Sequence, residues 1–120
     1  MYRVRVIQSF SGAHNLRNYH GKCENLHGHN WKVEAYLKGS ELNETEMLVD
    51  FTALKTTLKE ILEDLDHKYL NEQVGFFETN NTTSENIAFY IYSRLKEVFG
   101  NMTDRVIVWE TEFQCAEYYE

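Results

Sequence analysis

Two alternating stretches in the first forty residues constrain the fold most. Residues 2–10 carry large apolar side chains on one parity, namely Tyr2, Val4, Val6 and Phe10. Residues 28–38 repeat the pattern with Trp31, Val33, Ala35 and Leu37. Because side chains of a strand point alternately to its two faces, this pattern is typical of a strand with one buried face. The chain is therefore predicted to begin with two half-buried strands.

Two amphipathic helices are predicted next. The first covers residues 51–65 with Asp50 as its N-cap, and it has one apolar stripe: Phe51, Leu54, Leu58, Ile61, Leu62 and Leu65. The second covers residues 83–99, and its stripe is Ile87, Ile91, Leu95 and Val98. Thr82 and Glu85 have the spacing of a capping box at the start of this second helix.

The chain ends in an apolar strand over residues 105–113 and a short strand over residues 117–119. The predicted order is thus strand, strand, helix, helix, strand, strand. Strands that follow one another without an intervening helix favour antiparallel pairing, which indicates an α+β fold. At a length of 120 residues, a single domain over residues 1–120 is expected.

Composition argues against several classes of function. The chain has 12 basic and 19 acidic residues and a net charge of −7, which argues against a nucleic-acid partner. No apolar run approaches the roughly 20 residues of a membrane span, so no membrane partner is expected. The first ten residues lack the apolar block of a signal peptide, and two cysteines do not make a disulfide framework. We therefore expect a cytoplasmic protein.

The stretch "CENLHGHN" places two histidines where the second strand begins. His27 and His29 share the parity of Trp31, so both imidazoles extend the apolar face. Unpaired polar groups on such a face are costly, and either hydrogen bonds or a divalent cation would satisfy them. His14 follows the first strand and offers a third imidazole, whereas His20 lies in a polar loop and is expected to be an ordinary surface residue. Three neutral imidazoles suit zinc with a fourth position open to substrate.

Cys23 has three competing interpretations. It could be a packing residue without chemistry, a fourth zinc ligand that closes the site, or a thiol near the metal that acts as a base. The spacing alone leaves these three open. Cys115 has no comparable neighbours in the sequence and is interpreted as a packing residue.

Two further polar features stand in apolar surroundings. Asp66 and His67 lie at the predicted end of the first helix, where a histidine can simply interact with the helix dipole. Glu110 has the strand parity of Val106 and Val108. A carboxylate on that face needs partners, either a buried cation or the paired N–H groups of a flat ligand. No cation stands at a matching position in the sequence, which favours the ligand.

Several motifs together carry a family resemblance. "FSGAH", "CENLHGHNW", "DF..L", "LDH..LN", "T.EN" and "ET" occur in this order over nearly the whole chain. The set resembles the family of 6-pyruvoyl-tetrahydropterin and 6-carboxy-tetrahydropterin synthases. The resemblance implies the tunnelling fold, in which a four-stranded antiparallel sheet is backed by two helices. It also implies a homo-oligomeric barrel built from trimers, up to a hexamer, with active sites at subunit interfaces.

The resemblance also assigns roles to residues. It implies one zinc ion per chain bound by His14, His27 and His29, and it makes Cys23 the general base. It implies that Asp66 and His67 relay protons in the site of a neighbouring subunit. Glu110 would anchor the pterin, with further contacts from Thr83 and Glu85. Thr82 stands where this motif usually carries proline, which leaves the shape of the loop there open.

Within the family, the short Cys-x3-His-Gly-His spacing resembles the bacterial 6-carboxy-tetrahydropterin synthases of queuosine biosynthesis. The implied substrate is 7,8-dihydroneopterin triphosphate, and the implied products are 6-carboxy-5,6,7,8-tetrahydropterin, acetaldehyde and triphosphate. Lys22, Arg17 and helix N-termini are the candidate triphosphate contacts. The alternative activity is that of a 6-pyruvoyl-tetrahydropterin synthase.

Two rival interpretations belong to other classes of protein. Gly21, the two histidines and Glu34 match the first half of a cupin metal motif. No second half follows, and two long helices do not fit an all-β barrel. A non-catalytic zinc domain that uses Cys23 as its fourth ligand is the other rival, but it leaves Asp66, His67 and Glu110 without a role.

Overall fold

The structure is a computed structural model that describes residues 1–120. The chain contains five strands and three α-helices in the following order: β1 (Tyr2–His14), β2 (His27–Gly39), α1 (Phe51–Glu63), β3 (Lys68–Tyr69), α2 (Leu70–Gln73), α3 (Ser84–Phe99), β4 (Thr103–Trp109) and β5 (Cys115–Tyr119). Short 3-10 turns cover Lys22–Glu24, Gly75–Glu78 and Gly100–Met102. None of the helices is long and apolar enough to cross a membrane.

The strands form one mixed sheet with the order β3-β1-β2-β4-β5. The four longer strands pair antiparallel, as the sequence predicts, but β3 adds a fifth strand that runs parallel to β1. The predicted four-stranded antiparallel sheet is therefore wrong by one strand. A two-residue strand is too short to show alternation, so its sequence carries no strand signal.

The helices pack against one face of this sheet. Strands β1, β2 and β4 send alternate apolar residues toward the helices, and these form the core together with the stripes of α1 and α3. Phe10 and Trp31 stack there with ring centroids 5.8 Å apart. The opposite face of the sheet carries charged and aromatic residues, among them Arg5, Glu34 and Trp109, which hydrogen-bond to one another.

Both helices begin close to the predicted residues, but the predicted capping residue is right only for the first helix. Asp50 caps α1 because its carboxylate accepts a hydrogen bond from the Thr52 backbone N–H at 2.8 Å. The cap of α3 is Thr83 rather than Thr82, since the Thr83 hydroxyl accepts from the Asn86 N–H at 3.2 Å. The proposed capping box of Thr82 and Glu85 is therefore wrong, because Thr82 is fully buried one residue earlier.

The ends of several elements also differ from the prediction. Phe51 and Val98 were expected in the buried stripes, but their residues are 54% and 62% exposed. Both lie in terminal helical turns, where periodicity cannot show how far the packing partner extends. Strand β4 ends at Trp109 rather than at residue 113, because a turn closed by the Glu110 N–H and the Gln114 carbonyl follows.

Strand β1 is longer than predicted and includes His14 as its last residue. Strand β5 begins at Cys115, two residues before the predicted start. Cys115 is exposed, so its interpretation as a packing residue is wrong. It lies on the edge strand β5, where it pairs with Trp109 of β4.

We predict that a central and a terminal residue of the α1 stripe, Leu58 and Phe51, differ sharply in their effect on stability. Leu58 is fully buried, so Leu58→Ala should lower the free energy of unfolding by about 2–5 kcal/mol. Phe51→Ala removes a larger side chain from an exposed position and should cost clearly less. Urea unfolding of both variants measures the difference, and equal destabilisation would contradict the packing described here.

Candidate functional site

The register of β1 and β2 brings three imidazoles together. His14 lies directly opposite His27, and Gly12 lies opposite His29. Residues that face each other across two strands point to the same side of the sheet, so all three histidines extend the core face at one end. Their ring centroids are 4.5 to 5.3 Å apart. Gly12 has no side chain, and a Cβ there would meet the Phe10 ring at 3.1 Å, so a larger residue opposite His29 would press on the core.

Glu110 joins the three histidines from the neighbouring strand. It follows the last residue of β4, which pairs with β2, and its parity is that of the buried Val106 and Val108. One potential ligand atom from each of the four residues lies within 4.8 Å of the others. The cluster of His14, His27, His29 and Glu110, here called the histidine cluster, could hold a metal ion.

Backbone carbonyls fix the orientation of two of these imidazoles. Nδ1 of His14 donates to the Thr82 carbonyl at 2.8 Å, and Nδ1 of His27 donates to the Asn25 carbonyl at 2.7 Å. Because a carbonyl can only accept, the proton sits on Nδ1 and the lone pair on Nε2 is free. Such outer hydrogen bonds are typical of metal-binding histidines.

Two ring nitrogens in the cluster are buried without a hydrogen-bond partner, Nε2 of His14 and Nε2 of His29. Glu110 Oε1 lies only 2.8 Å from Nε2 of His29, but the directions at the two atoms are not those of a hydrogen bond. Buried polar atoms are rarely left unpaired in folded proteins. Both atoms belong to residues whose potential ligand atoms lie within 4.8 Å of one another, which fits a metal ion.

Burial favours the uncharged form of His14 and His29. It lowers the pKa of His14 and of His29, and nearby Glu110 only partly opposes that effect. Neutral imidazoles are the form that binds a metal, so protons compete less with the ion than at a free histidine. The cluster is therefore prepared for a cation at neutral pH.

A polar network behind His14 was not predicted from the sequence. The Thr82 hydroxyl donates to the Asn15 carbonyl at 3.1 Å, and Asn71 contacts Asn15 through both its side-chain amide atoms. These bonds hold the segment before α3 against the end of β1, which places the Thr82 carbonyl at His14. The side chain of Thr82 thus holds its own loop in place through the hydrogen bond to Asn15. Asparagines are common in loops and short helices, so the sequence has no signal that marks Asn15 and Asn71.

Asp66 and His67 form a pair of their own outside the histidine cluster. His67 Nδ1 lies 2.9 Å from Asp66 Oδ2, and the His67 side chain is 80% exposed. The Ser11 N–H donates to the Asp66 carboxylate at 2.9 Å, and this bond, followed by that from His67, lowers the pKa of Asp66. His67 borders a groove of about 450 Å³ together with residues of β1, β2 and β3.

Cys23 is half-buried in the turn Lys22–Glu24 and does not belong to the histidine cluster. The fourth residue of that cluster is the carboxylate of Glu110. The interpretation of a closed zinc site would need the Cys23 thiolate in that place. The Cys23 carbonyl accepts from the Leu16 N–H at 2.7 Å, which ties this turn to the end of β1.

The remaining candidate residues lie near the start of α3. Glu85 and Glu110 line one small pocket of about 190 Å³ with Ser84 between them, whereas the Thr83 hydroxyl is used in the helix cap. The Arg17 guanidinium donates to the Asn80 carbonyl at 2.7 Å, so this candidate triphosphate contact is already engaged within the chain. His20 is exposed, as predicted.

The geometry can be compared with known proteins. The family model described as 6-pyruvoyl tetrahydropterin synthase matches residues 3–120. A 6-carboxy-5,6,7,8-tetrahydropterin synthase of Synechocystis is 37% identical over 92% of this chain and 88% of that protein. A putative enzyme of the same name from Archaeoglobus fulgidus is 40% identical over 95% of this chain and 92% of its own length.

A solved structure gives the same result at the level of the fold. The 6-pyruvoyl tetrahydropterin synthase of Caenorhabditis elegans superposes with a TM-score of 0.90 at 33% identity, covering 99% of this chain and 95% of that chain. The fold, the histidine cluster and the sequence matches agree with one another. The chain belongs to the 6-pyruvoyl tetrahydropterin synthase family.

Proposed function

We propose that this protein is a zinc-dependent 6-carboxy-5,6,7,8-tetrahydropterin synthase. It converts 7,8-dihydroneopterin triphosphate to 6-carboxytetrahydropterin, acetaldehyde and triphosphate, a step toward queuosine. The observation that carries this proposal is the buried set of three histidines with unpaired Nε2 atoms in a chain of the pterin synthase family. The names of the Synechocystis and Archaeoglobus relatives support the 6-carboxy product over other products of the family.

The donor set fits zinc. Three neutral imidazoles and one carboxylate are ligands that zinc takes in four-coordinate sites, and His14, His27 and His29 would hold it. A bound zinc ion would polarise the oxygens of the substrate side chain and make the adjacent C–H group more acidic. The remaining tasks of the reaction fall to residues of the chain.

Each of these residues has a task that suits its setting. Cys23 is the proposed base that takes a proton from the substrate side chain, since a thiolate can form near neutral pH close to a cation. His67, oriented by the Asp66 carboxylate, is the proposed group that returns a proton. Glu110 anchors the amino-pyrimidine edge of the pterin, and the start of α3 with Thr83 and Glu85 borders that end of the site.

A second candidate function is triphosphate elimination by a 6-pyruvoyl-tetrahydropterin synthase. It is favoured by the close superposition on the C. elegans enzyme of that name. The cupin alternative loses its support, because Glu34 lies on the other face of the sheet from the histidines. There it accepts from Trp109 Nε1 at 2.6 Å and from Arg5 at 3.0 Å.

The product distinguishes the two candidate functions. We expect that the purified, zinc-loaded protein incubated with 7,8-dihydroneopterin triphosphate forms 6-carboxytetrahydropterin and acetaldehyde, as identified by mass spectrometry. Accumulation of 6-pyruvoyltetrahydropterin without acetaldehyde would instead favour the second candidate. A protein that leaves the substrate intact at full zinc occupancy would refute both.

The role of Cys23 can be separated from metal binding. Cys23→Ala should lower the rate of turnover by about 10²- to 10⁴-fold, the usual contribution of a general base, with zinc content unchanged. His27→Ala should lose zinc, and the exposed His20→Ala serves as its matched control. Loss of zinc from Cys23→Ala, measured by elemental analysis, would instead make the closed structural site the better interpretation.

The active site is proposed to require several chains. The Asp66–His67 pair is exposed and stands outside the histidine cluster, so it is free to enter the site of a neighbour. The sheet also ends in two open edges, β3 and β5, and such edges are usually paired or protected. We therefore propose a homo-oligomer built from trimers, in which strand edges meet to close a barrel.

This assembly has a measurable consequence. Sedimentation at micromolar concentration should show trimers or hexamers and little monomer. In addition, mixing inactive Cys23→Ala chains with inactive His67→Ala chains should restore part of the activity, because some sites then receive both intact residues. A purely monomeric protein with full activity would contradict the shared site.

A further inference from the structure

The carboxylate of Glu110 lies against two histidine nitrogens of the cluster. Its side chain is only 21% exposed, yet it takes part in no hydrogen bond with good geometry. Instead Oε1 lies 2.8 Å from Nε2 of His29 and 4.0 Å from Nε2 of His14. A carboxylate that served only to anchor a pterin would be expected to point toward the pterin pocket, not between two histidine nitrogens.

These distances match those between the ligands of one ion. Two ligands bound tetrahedrally at zinc distances of about 2.0–2.1 Å lie about 3.3 Å apart. The two separations of Glu110 Oε1, 2.8 and 4.0 Å, lie on either side of that value. The Glu110 carboxylate is therefore close enough to His14 and His29 to hold the same ion as the imidazoles.

We propose that Glu110 is the fourth ligand of the metal in the substrate-free protein and that it leaves the metal when a pterin binds. The first half concerns only the histidine cluster. The second half rests on the proposed function, since it assumes a pterin as the incoming ligand. Glu110 then has two successive partners rather than one.

The two positions of Glu110 exclude each other. If Glu110 holds the amino-pyrimidine edge of a pterin whose side chain reaches the metal, the whole bicyclic ring lies between carboxylate and metal. Glu110 cannot then remain at His29. The pocket that it lines with Ser84 and Glu85 provides the second position. Without the N–H groups of a pterin, the negative charge of Glu85 disfavours that position, so the metal position is preferred.

In the substrate-free protein, charge also favours the position of Glu110 beside the metal. Three neutral imidazoles leave both positive charges of a zinc ion uncompensated in a largely buried place, and the Glu110 carboxylate cancels one of them. When a pterin provides N–H donors for the carboxylate, Glu110 would leave one ligand position free for the oxygens of the substrate side chain. Binding of the ring and opening of the metal are thereby coupled.

Zinc affinity tests the first half of the proposal without any substrate. Glu110→Gln removes the charge but keeps the shape, and Glu112→Gln removes the same charge from an exposed position in the same turn. In competition with a chromophoric chelator, Glu110→Gln should bind zinc at least about 10-fold more weakly than wild type, since even an outer-shell change costs roughly 10–100-fold. Glu112→Gln should match wild type. Equal affinity of all three proteins, or no zinc binding by wild type, overturns the proposal.

Cobalt spectra test the second half. In Co²⁺-loaded Cys23→Ala protein, saturation with 7,8-dihydroneopterin should change the visible absorption of the metal, because one ligand is exchanged. An unchanged spectrum with bound pterin refutes the displacement. Failure of the pterin to bind refutes the displacement together with the proposed function, while the chelator competition still decides whether Glu110 is a ligand.

Discussion

The pairing of β1 with β2 is the constraint on which the candidate site depends. It places His14 opposite His27 and Gly12 opposite His29, and the same register pairs Phe10 with Trp31 in the core. A shift by one residue would turn one strand's apolar residues toward the opposite face of the sheet and would separate the histidines as well. The hydrophobic core therefore fixes the geometry of the site. The histidine cluster is the end of the core face, where imidazoles replace apolar side chains.

This arrangement has an energetic cost that the surrounding chain offsets only in part. The Thr82 and Asn25 carbonyls satisfy one nitrogen of His14 and one of His27, and the network of Asn15 and Asn71 secures the Thr82 segment. Nε2 of His14 and of His29 remain unsatisfied. Unpaired buried polar atoms destabilise a fold, so a metal ion that pairs them would also stabilise it. Binding of the metal and stability of the fold are thus linked at this end of the sheet.

Periodicity in the sequence was sufficient to predict the long strands, the two long helices and the shared face of His27 and His29. It failed where a single local contact decides the structure. The N-cap of α3 is Thr83 rather than Thr82, because the buried Thr82 hydroxyl instead donates a hydrogen bond to the Asn15 carbonyl. Strand β3 forms because the turn after α1 brings Lys68 and Tyr69 beside β1. The position of Glu110 beside His29 depends on the pairing of β2 with β4, so the sequence could show its parity but not its neighbours. The family resemblance indicated the roles of the site residues, but it did not indicate contact between Glu110 and the histidines.

The backbone at His67 connects the fold with the proposed sharing of sites between chains. His67 has a φ of +56°, in the left-handed region that residues with a side chain rarely adopt. Ser11 holds it there from both sides, since its carbonyl accepts from the His67 N–H at 2.6 Å and its own N–H donates to Asp66 at 2.9 Å. Strain of this kind persists only where surrounding bonds enforce it, and it is concentrated at functional sites. Here it turns an imidazole outward beside a carboxylate, away from the core. In this orientation His67 lines a groove together with His29 of the same chain, and its 80% exposed side chain agrees with the proposal that the pair also faces a neighbouring chain.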